Sequence, residues 1–572
     1  MYKPRTVAAC DDGTSYGRNV MVMGRGKMVL LGVLAAVLLA ALPVTHVLAN
    51  PPEADEVKDD PGMEPTVTRG MPDLVRYWNF DPPKSPLFDL KRVTISGDIR
   101  VRPEYRNNSN FGLTSTSGVG RATGANSQGV AAQFVQQWAR LGLNYAISPD
   151  VDTFFQMQYA GNWGANSAPN TANDPNTLTS VGVRQAYILI RNLGLEGLSL
   201  KAGRQLIVMG NHRLFGNFDW NNIGFSFDGI TLQYSRRMYE VWGGWIRLAD
   251  SQANAANSSC GTGTTGCAGG SGAVNPGTVA SGTTGSNNAD LFFARIAIKP
   301  MDGLSVEPLW VFLDNNISVT APPAATTYYG TAAHAPGQQR HTLGGRISYR
   351  YGMFDGTAEY YWQTGSMALG QSSNRLHINA QAMAFEGGLT LEELPWEPRV
   401  GLEFNYASGD GSASSCNGQT GAGCGGNANT FENLYPTNHV LMGYADRMAW
   451  RNMVGYSTSL QLKPSLAQHL DFRFWIFRKA NNGDCWYTAN QGCFSAPTTA
   501  TLANIATSNS LYKEIDGVYT LFFKDNKVAW QTGISYLIAG HMLDQLAAGN
   551  ADGIGSSAVN SFWAYTQLHV NF

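Results

Sequence analysis

The chain has 572 residues, 40 basic against 42 acidic side chains, and only 14% charged residues, so its formal net charge is −2. After residue 50 no apolar run approaches the roughly 20 residues that a membrane helix needs, and the near-neutral charge gives no argument for a nucleic-acid partner. Glycine occurs 64 times and aromatic residues make up 11%. Low charge, abundant glycine and aromatics, and no long apolar run fit an all-β transmembrane antiparallel barrel, where only alternate residues face lipid. A large soluble all-β protein is the competing class.

The first element is a leader. Arg25 and Lys27 precede an apolar run from Met28 to about Leu42, and Val47-Leu48-Ala49 supplies a small-residue cleavage pattern. Residues 1–49 therefore read as a secretory signal peptide. Its removal takes five basic and two acidic residues, leaving 35 and 40, a net charge of −5. Residues 50–91 form a Pro-rich segment (PPEADEVKDDPGMEP, then DPPKSPLF) with little periodicity. This reads as a periplasmic extension, either a tether or a dock for a periplasmic partner.

Residues 92–572 read as the barrel. From Val93 the chain alternates: Ile95, Gly97, Ile99, Val101, Pro103 and Tyr105 occupy one face, and Ser96, Asp98, Arg100, Arg102, Glu104 and Arg106 the other. Such period-two alternation marks a strand with two unlike faces. Eighteen such segments follow, near 92–106, 132–147, 150–161, 181–191, 198–209, 226–236, 239–249, 290–299, 303–314, 341–351, 354–364, 378–391, 398–409, 449–463, 468–479, 511–523, 527–538 and 561–572. Eight short turns alternate with nine long polar loops. That alternation, with an even strand number, is outer-membrane topology, with periplasmic turns and extracellular loops. The final AYTQLHVNF places Leu568, Val570 and Phe572 on one face; its terminal aromatic resembles the recognition signal of outer-membrane barrels.

The six cysteines beyond residue 49 form three close pairs, Cys260 with Cys267, Cys416 with Cys424, and Cys485 with Cys493, all in long loops. In an exported protein this pattern predicts three loop-stapling disulfides. No zinc spacing is present, and the reading includes no metal and no cofactor. Enzyme classes also fare poorly: no GxSxG, HExxH or phosphate-type glycine loop occurs.

An Arg or Lys facing lipid at the midplane costs about 2–4 kcal/mol, so alternation sends charge inward. The basic candidates are Arg100, Arg102, Arg106, Arg140, Arg295, Lys299, Arg346, Arg350, Arg451 and Arg473. Their acidic counterparts are Asp98, Glu104, Glu307, Glu359, Glu403, Asp471, Glu514 and Asp516. Eighteen strands leave room for an aqueous channel. Arginines in such a pore favour anions, and their fork suits carboxylates. Arg–Glu ladders also brace barrel walls, so each charge is lining, brace or both.

Several blocks resemble the alginate export family of outer-membrane porins: Val183-Arg184-Gln185-Ala186-Tyr187, Gly203-Arg204-Gln205, His212-Arg213-Leu214, Asp219-Trp220 and Phe227-Asp228-Gly229. Phe404 to Asp410, Thr430 to His439 and Gly443-Tyr444-Ala445-Asp446 continue the resemblance. It implies a monomeric eighteen-stranded barrel in the bacterial outer membrane, exporting an anionic uronate polysaccharide through an arginine-rich constriction, with Arg184, Arg204 and Arg213 in the lining. The alternatives are a diffusion porin for small organic anions and a porin sheath docking a periplasmic or electron-carrying partner through residues 50–91. In this topology Asn211 to Gly224 is expected at the extracellular mouth, with His212-Arg213 as a gate.

Overall fold

A computed structural model describes residues 89–90, 92–109, 111–113, 131–163, 181–249, 289–315, 337–368, 375–410, 427–489, 508–523, 526–548 and 558–572. Eighteen long strands carry the fold: β1 (Val93–Asn107), β2 (Ala131–Ser148), β3 (Val151–Asn162), β4 (Gly182–Ile190), β5 (Leu198–Gln205), β6 (Phe227–Arg236), β7 (Tyr239–Ala249), β8 (Ala289–Met301), β9 (Leu304–Asn315), β10 (Gln338–Tyr351), β11 (Phe354–Ala368), β12 (Arg375–Thr390), β13 (Arg399–Ala407), β14 (Met453–Ser465), β15 (Gln468–Arg478), β16 (Ser510–Phe523), β17 (Val528–Ala539) and β18 (Ser561–Asn571). Neighbours in sequence pair antiparallel throughout. β18 pairs in turn with β1, which closes the barrel. Closure satisfies every strand edge, the condition for crossing lipid with strands.

The seam is tight. Gly97 and Phe572 exchange both backbone hydrogen bonds, at 2.8 and 2.9 Å. The Phe572 ring lies over Gly97, where an added Cβ would stand 2.5 Å from it. Two short strands complete the sheet: Asp89–Leu90 against β1 and Asn427–Ala428 alongside β12. Among the described residues one helix, α1 (His541–Ala548), lies between β17 and β18 and buries Met542, Leu543 and Ala547.

All eighteen expected strands are present. Their ends agree to within three residues except at three places: β5 ends at Gln205 rather than 209, β11 runs on to Ala368 rather than 364, and β14 begins at Met453 rather than 449. Leu206-Ile207-Val208 has strand-like apolar character, but Ile207 is wholly buried inside the barrel. That apolar run packs an inward-turning loop.

The expected signal peptide at 1–49 and nearly all of the expected 50–91 extension lie outside the described residues. So do five of the six loop cysteines. Cys260 and Cys267 fall in 250–288, Cys416 and Cys424 in 411–426, and Cys493 in 490–507. Cys485 alone is described, and it is disulfide-bonded. The structure therefore bears on Cys485 as a disulfide half, while the pairings of Cys260 with Cys267, Cys416 with Cys424, and Cys485 with Cys493 remain expectations from spacing.

The outward face carries an apolar band that ends in a polar row. On β12, reading from the turn end, the outward residues are Leu389, Gly387, Phe385 and Met383, then Gln381, Asn379, His377 and Arg375. Across β5 to β10 the switch falls at Arg204, Asp228, Arg247, Asp290, Asp314 and Gln339, each directly opposite the next. Arg204–Asp228 and Arg247–Asp290 form ion pairs of 2.8 and 2.7 Å along that row. Here the wall leaves the apolar layer, which is roughly 25 Å tall in such barrels.

The interior is not an empty tube. Loop 206–226 between β5 and β6, and the described parts of the connection between β13 and β14 (408–410 and 427–452), fold into the lumen. They pack Phe215, Leu434, Tyr435, Met448 and Trp450 at 1% exposure or less. The loops are stitched together by backbone hydrogen bonds from Gly216 N to Tyr435 O, Tyr435 N to Leu214 O and Thr437 N to His212 O, of 2.8 to 3.0 Å. This corrects the expectation of an open aqueous lumen. Burying a large apolar side chain is worth about 1.5–3 kcal/mol, so loops rich in Leu, Phe, Tyr and Trp gain more by packing inward than by standing in water.

Candidate functional site

Four arginines from β1, β2 and β4 converge on one loop segment. Arg100 donates to the Asp219 carbonyl at 2.7 Å, and Arg102 to the Trp220 carbonyl at 2.7 Å. Arg140 and Arg184 reach the Asp219 carboxylate at 3.0 and 2.6 Å. A β-bulge makes the last contact possible. The β3–β4 register shifts between Gln156 and Met157, so Arg184 and Gln185 are both buried against interior groups. An extra residue in a strand re-aims a side chain in this way. Gly224, at φ +75°, passes so close to the Arg184 guanidinium that a Cβ would stand 2.5 Å away. Trp138 is sandwiched between Arg100 and Arg140, at 3.4 and 3.8 Å to the ring centre.

The opposite wall is acidic. Arg213, carried by the same loop, meets Glu403 of β13 at 2.6 Å, Glu359 of β11 at 3.3 Å and Glu386 of β12 at 3.5 Å. The loop thus crosses the lumen, presenting Asp219 to a basic wall and Arg213 to an acidic one. Such buried pairs repay desolvation only when both partners are present.

Most other charges expected inside are there. Glu104 binds Arg102 and Arg106, each at 2.8 Å. Asp98 accepts from Trp138 and contacts His569 at 2.9 Å. Glu307 binds Arg295 and Arg346. Asp471 binds Arg473 at 3.2 Å, and Glu403 lies 3.6 Å from Arg473. Glu514 accepts the Ala445 N–H at 2.8 Å, and Asp516 accepts from Ser535. Arg350 is half-buried, 4.0 Å from Glu392 near the turn end, and Lys299 also lies near a turn end.

Three placements differ from expectation. Arg204 does not line the lumen. Its neighbour Gln205 is the inward residue, while Arg204 pairs with Asp228 on the outward face. Arg451 precedes β14 and lies over the Tyr487 ring at 4.6 Å. Asn211 to Gly224 is not at the mouth: His212, Arg213, Asp219 and Asn222 are buried inside the barrel. Alternation reports the facing of strands and says nothing about where loops go.

Sequence reading missed further partners. Arg399 grips Asp355 through two nitrogens, at 2.9 and 2.5 Å; its parity with Glu403 on β13 was the available signal. Glu386 and Glu240 also follow from parity. Arg340–Glu432, at 3.3 Å, joins β10 to the second loop and has no periodic signal. Nor does His439, which stacks on Trp220 with ring centroids 3.6 Å apart. Burial pushes the His439 imidazole below its ordinary pKa, against the opposing pull of Asp446 at 3.0 Å. Among the described residues no group of three or more His, Cys, Asp or Glu is placed to hold a metal ion.

No curated protein matches the chain. Its fold is similar to Pseudomonas aeruginosa OccK5 (OpdH), at 9% identity and TM-score 0.43, covering 84% of this chain and 98% of that one. Pseudomonas aeruginosa OccK8 (OprE) is similar at 8% identity and TM-score 0.46, with 84% and 98% coverage. Acinetobacter baumannii OccAB4 gives 9% identity and TM-score 0.46, with 84% and 99% coverage. The model of the alginate export family matches residues 91–545, taking in the arginine wall, the crossing loop and the acidic wall. A closed barrel with an apolar outer band and this match make the protein an integral outer-membrane porin, and the chain belongs to the alginate export family.

Proposed function

We propose that the protein is a passive conduit for an anionic polysaccharide, an alginate-like polyuronate, crossing the outer membrane outward. The observation that carries this reading is the convergence of Arg100, Arg102, Arg140 and Arg184 on Asp219 and Trp220. Asp219 holds the place of a substrate carboxylate. When loop 206–226 withdraws, the guanidiniums of Arg140 and Arg184 lose their carboxylate partner, and a uronate ring can take it over. Arginine's planar fork suits that exchange. Successive uronates replace one another along the wall, each held weakly enough to let the chain slide. The acidic wall around Arg213 repels the polymer and confines it to the basic side. The barrel works as a monomer, with residues 50–91 as a periplasmic tether or as a dock for a periplasmic partner.

The test is single-channel recording in a planar bilayer. The expected result is an anion-leaning reversal potential and voltage-dependent block by polyuronate oligomers, with weaker block by monomeric uronate and none by a neutral glucan of equal length. Equal block by monomer and oligomer would point instead to a diffusion porin for small organic anions. A cation-selective pore indifferent to polyuronates would sink the proposal.

A further inference from the structure

The outward wall of β11 and β12 carries a feature that conduction does not use. Tyr360 and Trp362 project from β11 at 46% and 39% exposure. Their polar tips are tied to β12: Tyr360 Oη donates to Gln381 Oε1 at 3.2 Å, and Trp362 Nε1 to Asn379 Oδ1 at 3.1 Å. Both amide oxygens are thereby used, and the Asn379 Nδ2 and Gln381 Nε2 groups have no acceptor among the described residues. These four side chains, with Ser408 and Asn429, line an open cavity of about 660 Å³. Above it Arg375 is exposed on the same face. Its guanidinium donates to Ser366, Gln339 and the Gly337 carbonyl, and meets no carboxylate among the described residues.

We infer that this patch binds the phosphorylated sugar headgroup of an outer-leaflet glycolipid. The position decides the class of occupant. The patch faces away from the lumen, at the step where the outward residues of β12 change from Phe385 and Met383 to Gln381 and Asn379. That step is the boundary between acyl chains and headgroups, at the loop end, which is extracellular in outer-membrane barrels. An aromatic girdle accounts for Tyr360 and Trp362 alone, since such rings sit at membrane interfaces generally. It does not account for two amides held by those rings with their NH₂ groups directed to nothing, nor for an arginine supplied only with neutral partners. A sugar does. Its hydroxyls accept from the amides, its C–H face lies on the indole and phenol rings, and its phosphate takes the Arg375 guanidinium in charge-assisted hydrogen bonds. An acyl chain would leave the two amide NH₂ groups without acceptors and the Arg375 charge without an anion, and a second protein copy would have to bring its own phosphate-like acceptor.

The experiment measures lipid binding to the full-length, detergent-solubilised barrel by native mass spectrometry. The probes are a bis-phosphorylated diglucosamine lipid, its dephosphorylated form, and phosphatidylglycerol with matched acyl chains. The unmodified protein is expected to prefer the bis-phosphorylated sugar lipid over phosphatidylglycerol by about tenfold or more. Arg375→Gln should remove the preference for the phosphorylated over the dephosphorylated sugar lipid. The Asn379→Ala/Gln381→Ala pair should remove the preference for sugar lipid over phosphatidylglycerol while leaving phosphatidylglycerol binding unchanged. Single-channel conductance, which these outward residues do not touch, should stay at the unmodified value and certifies folding. Equal binding of all three lipids by the unmodified protein overturns the inference without recourse to any variant. So does a preference that survives both sets of substitutions.

Discussion

Trp220 and His439 lie face to face, with ring centroids 3.6 Å apart and planes 2° from parallel. One belongs to the loop after β5 and the other to the loop after β13, and the Arg102 guanidinium sits 3.8 Å from the centre of the Trp220 ring. This stack joins the two inward loops over the basic wall. An aromatic pair contributes about 0.5–1.5 kcal/mol beyond its buried area. Trp220→Leu should therefore raise the ratio of open to closed dwell times by about two- to tenfold, read from single-channel records at fixed voltage. An unchanged ratio would mean the loops are held by their backbone pairing alone.

Acidification should act through His439. Burial lowers its pKa below the ordinary value of 6.5, with Asp446 opposing and the Arg102 and Glu104 charges of β1 acting in opposite senses. A group whose pKa falls on docking takes up more protons when released, so docking weakens as pH drops below about 6.5. Channel opening is expected to increase from about pH 7.5 to about 5.5, the range around an ordinary imidazole. His439→Gln should flatten that dependence; a slope preserved in this variant would move the sensor elsewhere.

Removing Asp219 tests the stand-in for a substrate carboxylate. Asp219→Asn leaves Arg140 and Arg184 without their carboxylate partner, and breaking a buried pair from one side costs about 3–5 kcal/mol. Loop 206–226 should then leave its seat, seen as proteolytic cleavage of the intact barrel within 206–226. The reversal potential should shift toward anions. Loss of both effects would assign the four arginines to bracing alone.

Arg213 is the mirror experiment. Arg213→Gln strands Glu359, Glu386 and Glu403, which it meets at 3.3, 3.5 and 2.6 Å. The reversal potential should move toward cations, opposite in sign to the Asp219 variant. Arg213→Lys keeps the charge and loses the planar fork, so it should keep selectivity while loosening the loop.

The seam makes a folding prediction. Gly97 lies under the Phe572 ring with 2.5 Å for a Cβ, so Gly97→Val should impair closure of β1 on β18. The readout is the fraction of barrel that keeps its fast-migrating folded form in unheated gel electrophoresis. Gly97→Val combined with Phe572→Ala, which removes the ring and leaves the Arg140 carbonyl at 2.9 Å, should recover part of that fraction.

The barrel itself was legible in the amino-acid sequence. Period-two alternation, eighteen segments and alternating short and long connections follow from local rules, because lipid outside and charge inside constrain every strand residue in turn. The same parity placed Asp98, Arg100, Arg102, Glu104, Arg140 and Glu359 on the lumen side. It left Arg184 and Arg204 undecided, and their expected place in the lining rested on the family resemblance. There a β-bulge between Gln156 and Met157 breaks the count on β4, and Gly203, at φ +126°, sits beside the outward Arg204 on β5. Only the tertiary structure decided where the loops lie. Asp219 meets Arg184 across 35 positions of sequence and Arg213 meets Glu403 across 190, and no periodicity links such partners. Their pairing comes from a lumen wide enough to admit two apolar loops, and from buried charges that must find opposite partners once water is displaced.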